Sequence, residues 1–459
     1  MTLLLLVSLI CFLLVGLSAG LSEGSRDAFF VAGRRGSTNA ITGSLVATVI
    51  GGSATIGVAG LAYERGITAA WWILVGAIGL AALGLLLVAR VRSSGVYTLP
   101  GLAGRLYGPK VRVATAVLVV VAWMGVLSGQ IVAASRVLSV IGVGSPSLWM
   151  MFFTVVLVGY GVAGGQKAVI RSDLLQAVVI FVGIAVAAFF VHAVTGGVDS
   201  LAATLPPGSL EFPVSPAFGW SDLGSMLVLV GLVYLVGPDI YTRVLSARDT
   251  RTARAATLSA AILVIPVAIM VTMLGLAARV LFPGILPEQA LPLIVAHALP
   301  PYVAAMLLAG LVAALMSSAD SILLGQAVIL ADDVISRVAF LDDTHVVTLA
   351  RGCIVVLGAL ALALALGFQG VISSLMFAYS VFTSGVVGPL LVGLLGSRLR
   401  LDSSAVLLGM CVGGACGLVG AIPGLEVPLK EQLPMIGLAL SIVLTLTLSR
   451  LRYRGTTQT

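Results

Sequence analysis

Met316-Ser317-Ser318-Ala319-Asp320-Ser321 is the stretch on which the reading of this chain turns. It follows the apolar run from Tyr302 to Leu315 and continues into Ile322-Leu323-Leu324-Gly325. Hydroxyls and a carboxylate inside a helix of membrane length are costly unless something pairs with them. Two kinds of partner fit. Hydroxyl and carbonyl oxygens are the ligands a small hard cation takes. Serine also packs closely and hydrogen-bonds across membrane helices. Serine alone would be read as such helix–helix glue. Asp320, with a second interrupted segment near Gly51, moves the reading towards an ion.

The rest of the composition agrees with a membrane setting. The chain is 59% hydrophobic and 9% charged over 459 residues, with a mean hydropathy of +1.17. Apolar stretches of roughly 20 residues recur from end to end, the pattern of an all-α polytopic protein in a lipid bilayer. They predict thirteen helices, at 2–20, 38–63, 68–89, 112–140, 147–164, 173–194, 222–240, 255–281, 300–336, 346–366, 371–395, 403–421 and 434–450. Helix 2–20 lacks a positively charged start and is read as retained, not as a signal peptide. The polar interval from Thr195 to Ser221 is rich in Pro and Gly and reads as an ordered loop. No interval is long enough for a separate soluble domain, so 1–459 is one transmembrane unit. Cys11, Cys353, Cys411 and Cys416 all lie in apolar segments and read as small buried hydrophobes. His192, His297 and His345 are scattered at segment ends, and no catalytic constellation is visible, so an enzyme is not expected.

Lysine and arginine set an expected orientation. Of the 25 basic residues, 21 fall in alternate connections, leaving Arg65, Arg136, Arg279 and Lys430 on the other side. That places the N-terminus outside and the C-terminus in the cytoplasm of a cell inner (plasma) membrane, which requires an odd number of helices. The net charge of +7 is then a consequence of topology, and no nucleic-acid partner is read into it.

Two helices look interrupted. The second contains Gly51-Gly52-Ser53-Ala54, and the segment from Asp222 to Ile240 carries Gly224, Gly231 and Gly237-Pro238. Irregular backbone is tolerated at membrane depth only where it lines a cavity. A tight helix crossing is the other use of such glycines. Interrupted helices that each open a five-helix unit are the pattern of an inverted-repeat transporter. The expected units are 2–36 (leading helix and linker), 37–194 (first repeat), 222–395 (second repeat) and 403–450 (two closing helices).

Several motifs resemble one family in register. Ser25-Arg26-Asp27-Ala28-Phe29-Phe30-Val31-Ala32-Gly33-Arg34 resembles the segment preceding the first core helix of the sodium:solute symporter family. Gly57 to Gly66 is similar to the end of that core helix. Gly164-Gly165-Gln166-Lys167-Ala168-Val169-Ile170-Arg171-Ser172-Asp173-Leu174-Leu175-Gln176 is similar to its GGxxAVxxTDxxQ signature. Pro238 to Ala247 resembles its PDxxxRxLAA loop, the opening run resembles MSTADS, and Ala378-Tyr379 with Pro389-Leu390-Leu391 resembles its tenth core helix. The resemblance covers nearly the whole chain. It implies a LeuT-type five-plus-five inverted repeat with one extra helix in front and two behind. It implies sodium-coupled symport of a small solute by alternating access.

The resemblance also implies a site. Sodium would be held by the carbonyls of Ala47, Ile50 and Ala314 and the hydroxyls of Ser317 and Ser318. Asp173, expected at the start of the fifth core helix, would support sodium from the cytoplasmic side, or pair with Lys167 or Arg171. Ser321 and Asp320 fall where some members bind a second sodium ion, but Asp320 departs from the serine found there. The solute, small and polar or anionic, would lie beside Gly51, Gly52, Ser53 and Ala54, with Gly231, Tyr234 and Leu235 opposite. Trp123, Ser128, Gln130, Phe377 and Tyr379 would be walls or gates, or ordinary packing. Ser53 and Ala54 replace residues of the sugar-transporting members and disfavour a sugar. Asp332-Asp333 and Asp342-Asp343 read as solvated loop charges. Proton coupling through Asp173 or Asp320, and a membrane sensor acting with a separate signalling partner, are the alternatives; one chain suffices for transport, and oligomeric state is left open.

Overall fold

Ser37 accepts a hydrogen bond from the Ala40 amide at 3.3 Å and so caps the helix Thr38–Val49. That helix stops at Ile50, whose backbone (φ −90°, ψ 68°) is no longer helical. The chain resumes as a wide π-type turn, Ser53–Gly57, and then as Val58–Arg65. The expected span 38–63 is therefore two half-helices with a break at residues 50–52. The second interrupted span shows the same device. Its first part runs from Trp220 through a π-type turn at Leu227–Gly231 to Val236. Gly237 is extended (ψ 136°), and Pro238 opens a new helix, Pro238–Ser246. Proline suits a first helical position because its missing N–H has no partner there anyway.

The computed structural model describes residues 25–455 other than 143, 340, 341, 368, 369, 397, 398, 423, 424 and 426. Expected helix 2–20, Cys11 and Arg398 lie outside the described residues. Each of the other twelve expected spans has its helix. After the first broken span come Trp71–Ser93 (with a π-type turn at Leu83–Leu87), Pro109–Leu138, Pro146–Gly164 and Gln166–Val194. The second broken span is followed by Thr250–Leu281, Pro301–Ile335, Asp343–Gly367, Val371–Leu395, Ser403–Ala421 and Leu433–Gly455.

Pro301–Ile335 is the central rod, with 89% of its most apolar window buried. It packs on Gln166–Val194, on Pro109–Leu138 and on the half-helix Thr38–Val49. The contact with Gln166–Val194 is backbone-close: a methyl on Gly183 would sit 2.8 Å from the Met306 carbonyl. Small residues allow such approach where lipid supplies no hydrophobic drive between helices. The last two helices pack chiefly on one another.

Several expectations are corrected. Gln166–Val194 begins seven residues before the predicted 173, because Gly165 (φ +72°) supplies the turn that starts it. Asp173 is thus two turns inside the helix. The PDxxxR stretch is a buried helix, not a loop, and its Arg243 is fully buried. Asp332 and Asp333 are buried as well, in a π-type turn at the end of the central rod. Arg112 bonds both, through Nε to Asp333 at 2.5 Å and Nη2 to Asp332 at 2.8 Å. Arg26 pairs with Asp332, and Thr98 donates to Asp333 at 2.7 Å. Asp332 and Asp333, expected as solvated loop charges, thus form with Arg26 and Arg112 one knot between the segment before the first span, the start of Pro109–Leu138 and the central rod. Asp342 is exposed and pairs with His345, as expected of a loop charge. Cys353 is buried, but Cys411 is exposed and Cys416 half-buried, because small residues also occupy outward faces of membrane helices. The interval Thr195 to Ser221 contains the short helix Gly197–Thr204.

Candidate functional site

A helix ends with carbonyls that have no amide to accept from, and with a partial negative charge. In Thr38–Val49 the last regular bond is Ile50 N–H to Val46 O at 3.0 Å. The amide of Gly52 leaves the ladder and donates to Gln130 Oε1 at 2.8 Å. Two serines of the central rod meet the freed carbonyls. Ser317 Oγ is 2.8 Å from Ala47 O and 3.0 Å from Ala314 O. Ser318 Oγ is 3.0 Å from Thr48 O and 3.4 Å from Ala47 O. Ala47, Ala314, Ser317 and Ser318 are thus brought together at the break; Ile50, where the half-helix stops, is buried. All the oxygens are neutral, which suits a monovalent ion; a divalent one normally takes carboxylates.

The glycines of the break are there for space. A methyl on Gly51 would lie 2.5 Å from Ser318 Oγ and 3.0 Å from Gln130 Nε2. One on Gly52 would lie 2.6 Å from Ala133 Cβ. Gln130 therefore pins the break from the side and leaves the serines within reach of it.

Beneath the serines lies a buried charge cluster. Asp173 Oδ2 accepts from Ser44 Oγ at 2.5 Å and from Arg243 Nη2 at 3.2 Å. Arg243 Nε donates to Ser44 Oγ at 3.1 Å, and Nη2 reaches Ser321 Oγ. Ser321 in turn donates to Ser317 O at 2.6 Å and to Asp320 Oδ1 at 3.1 Å. Asp173 Oδ1 and Asp320 Oδ2 are buried with no hydrogen-bond partner among the described residues. The partner of Asp173 is Arg243, not Lys167 or Arg171: Arg171 points outward from the same helix, whereas Arg243 is presented by the half-helix after the second break. Asp173, Asp320 and Ser321, expected as supports, are in one network whose hub was not foreseen. Its signal was legible: a Pro-started helix with Asp239 and Arg243 four residues apart, on one face.

Next to the first break is a small enclosed cavity. Gly51, Ser53, Trp123, Gln130, Tyr234 and Tyr379, all expected solute contacts, line it, and so do Thr48 and Asp239, which were not expected. Gly52, Ala54 and Phe377 do not line it: Gly52 faces Ala133, Ala54 is fully buried and Phe377 packs over Gly125. Ser128 is bonded to Gly125 O and buried; Gly231 faces the Val75 carbonyl. The side chains of Tyr234 and Tyr379 are neighbours in the cavity wall. Asp239 stands in the first turn of Pro238–Ser246, with its carboxylate near the backbone amides of that turn and near Trp123. The cavity offers about 30 Å³ to the centres of water-sized occupants. At roughly 10–15 Å³ for each water, that admits only a few waters.

Comparison with known proteins supplies a frame for this geometry. The sequence model described as the sodium:solute symporter family matches residues 29–413. The chain is 25% identical over 456 residues to sodium/glucose cotransporter 4 of Danio rerio, covering 87% of this chain and 68% of that one. It is 26% identical over 393 residues to the sodium/pantothenate symporter of Escherichia coli (strain K12), covering 81% and 79%. In three dimensions it is similar to a Na⁺-coupled sialic acid symporter in a substrate-bound outward-open state, with a TM-score of 0.83 over 98% of this chain and 97% of that one, at 16% identity. It also matches Mhp1, a nucleobase-cation-symport-1 family transporter, with a TM-score of 0.64 over 95% and 96%, at 13% identity. The architecture is the LeuT-like fold.

Proposed function

The chain belongs to the sodium:solute symporter family, and from that premise we propose how its own residues carry out sodium-coupled solute transport. It is a multi-pass membrane transporter, not an enzyme, and sodium is its co-substrate. Residues 37–194 and 222–395 form the two repeats, and each interrupted helix opens one. Sodium is held by the carbonyls of Ala47, Ile50 and Ala314 and by the hydroxyls of Ser317 and Ser318. The observation that carries this is the meeting of both serine hydroxyls with the carbonyls freed at residues 47–50. Sodium there ties the first half-helix to the central rod and so favours the conformation that accepts solute. Transport is inward, with the basic ends of the helices in the cytoplasm.

The solute lies between the two breaks, against Gly51, Ser53, Gln130 and Tyr379. Relatives carry glucose, pantothenate or sialic acid by name. The cavity lining here contains Asp239 and no Lys or Arg, and Asp239 itself stands at the half-helix N-terminus that an anion would seek. This favours a small polar solute over an anionic one.

A second cation is favoured by one observation. Asp173 pairs with the one guanidinium of the buried cluster, Asp320 is linked to it through Ser321, and each carboxylate keeps an oxygen without a partner among the described residues. A monovalent ion between Asp173, Asp320 and Ser321 would balance the charge.

Sodium-dependent thermal shift of the purified protein against amino acids, monocarboxylates, vitamins and sugars identifies the solute. With it, uptake into proteoliposomes tests the site. Ser317→Ala with Ser318→Ala raises the sodium concentration for half-maximal uptake at least tenfold; an unchanged sodium dependence overturns the assignment. Asp320→Asn lowers the steepness of sodium activation if a second cation binds, and leaves it unaltered if none does.

A further inference from the structure

A basic groove lies outside everything assigned above. It is bounded by Arg35, Lys167, Arg171, Asp27 and Ser37. Arg35 and Arg171 are exposed and Lys167 half-buried. Neither arginine makes an ion pair or a side-chain hydrogen bond among the described residues. Asp27 is the acidic group of the groove, and the Tyr97 hydroxyl donates to it. Burial and that carboxylate push the Tyr97 hydroxyl above its ordinary range, so it stays a donor. Two exposed arginines, beside a Lys167 that is itself engaged, face one engaged carboxylate and leave an anion-attracting groove.

Where the groove leads identifies the anion. From Arg171 the exposed face of Gln166–Val194 continues through Leu174, Leu175, Val178, Phe181 and Val182, at helical spacing. The eleven steps from Arg171 to Val182 span about 16 Å at 1.5 Å per residue. That is about half of a 30 Å hydrocarbon core, the depth of one leaflet. A free phosphate would use the basic end and nothing else. A phospholipid uses both parts.

We propose that Arg35 and Arg171 bind the phosphate head group of an anionic phospholipid whose acyl chain lies along the Leu174–Val182 face, with Lys167 at the edge of the groove. The site is independent of the sodium and solute sites. Its position at the foot of both Thr38–Val49 and Gln166–Val194 means that a lipid there steadies two helices that flank the sodium site.

The test uses the full-length protein in detergent, with thermal unfolding followed on adding phosphatidylglycerol, phosphatidylcholine or inorganic phosphate. Phosphatidylglycerol stabilises the wild type, and the other two do not. Arg35→Gln with Arg171→Gln needs roughly thirtyfold more phosphatidylglycerol for the same shift, from the usual attraction of each arginine to an anionic surface. Arg251→Gln, an exposed arginine elsewhere, behaves as wild type. Native mass spectrometry of the single variants, counting retained phosphatidylglycerol, gives the same answer without relying on unfolding. The proposal is overturned if the double variant responds as wild type. It is equally overturned if Arg251→Gln weakens the response as much, or if inorganic phosphate stabilises as well as the lipid does.

Discussion

Replacing Arg243 tests whether the buried cluster is held by charge balance. As drawn, it contains two carboxylates, Asp173 and Asp320, and one guanidinium, a formal excess of one negative charge. Arg243 and Asp173 approach to 3.2 Å with both side chains fully buried. With an effective dielectric of about 20, that separation corresponds to about 5 kcal/mol of attraction. Removing one member of a buried pair typically costs about 3–5 kcal/mol, because the other is left without its counter-charge. The two members are not equivalent here. Asp173→Asn leaves Arg243 with Asp320, one charge of each sign. Arg243→Gln leaves two carboxylates and no cation. Arg243→Gln is therefore the more destabilising, at the upper end of that range, and Asp173→Asn costs less. The double variant returns to one net charge and recovers a good part of the loss, a coupling of at least about 1–3 kcal/mol in a double-mutant cycle. Thermal and denaturant unfolding of the four proteins in detergent, with sodium fixed, measures it. If Arg243→Gln is no less stable than Asp173→Asn, or if the double variant loses the sum of both, charge balance is not what holds the cluster and the reasoning fails.

Gly51→Ala will raise the sodium concentration for half-maximal uptake about tenfold or more, because its methyl would press on Ser318 Oγ and overpacking costs about 1–3 kcal/mol; Gly159→Ala, with open space around it, is the control that leaves uptake unchanged. Asp332→Asn with Asp333→Asn removes the buried negative charges paired with Arg112 and Arg26, where each bond to a charged group contributes about 1.5–3 kcal/mol. Hydrogen exchange of amides 38–49 will then quicken at least tenfold, and unaltered exchange would show that this knot does not restrain the half-helix. Gln130→Ala leaves the Gly52 amide without its acceptor, so solute uptake will need more sodium and more solute alike. A change in the solute requirement alone would mean that Gln130 only lines the cavity.

What could be read in the sequence follows from which interactions are local. Twelve helices within the described residues follow from apolar length, and both breaks follow from Gly51-Gly52 and Gly237-Pro238, because helix propensity and proline geometry act over a few residues. The serine pair was also legible, since hydroxyls in an apolar rod are conspicuous. The partners of charged residues were not. Asp173 meets Arg243 seventy positions away, and Arg112 meets Asp332 and Asp333 more than two hundred away. Nothing in Asp332-Asp333 distinguishes a solvated pair from one buried against an arginine of another helix. The start of Gln166–Val194 was misplaced for a related reason. Lys167 and Arg171 look like loop residues in a hydropathy trace, yet a helix can carry them at the membrane edge, where their heads reach polar surroundings.

The serine geometry bears on how tightly sodium can be held. Each of Ser317 and Ser318 has one hydroxyl proton, and in this arrangement each lies within hydrogen-bonding distance of carbonyl oxygens, Ala47 and Ala314 for one, Thr48 and Ala47 for the other. An ion coordinated by those same oxygens requires both protons to turn away. Giving up two buried hydrogen bonds costs about 1–3 kcal/mol in total. That cost is set against every sodium that binds and is returned when it leaves. The break thus has two satisfied arrangements, one closed by hydrogen bonds and one by the ion. A site with only the second would hold sodium longer and release it more slowly. Ser317→Ala alone removes one of the competing hydroxyls together with one ligand, whereas Ser317→Thr keeps both. Sodium affinity should therefore fall in the alanine variant and be retained in the threonine variant. Equal losses in the two would mean that packing around residue 317, not the hydroxyl, governs binding.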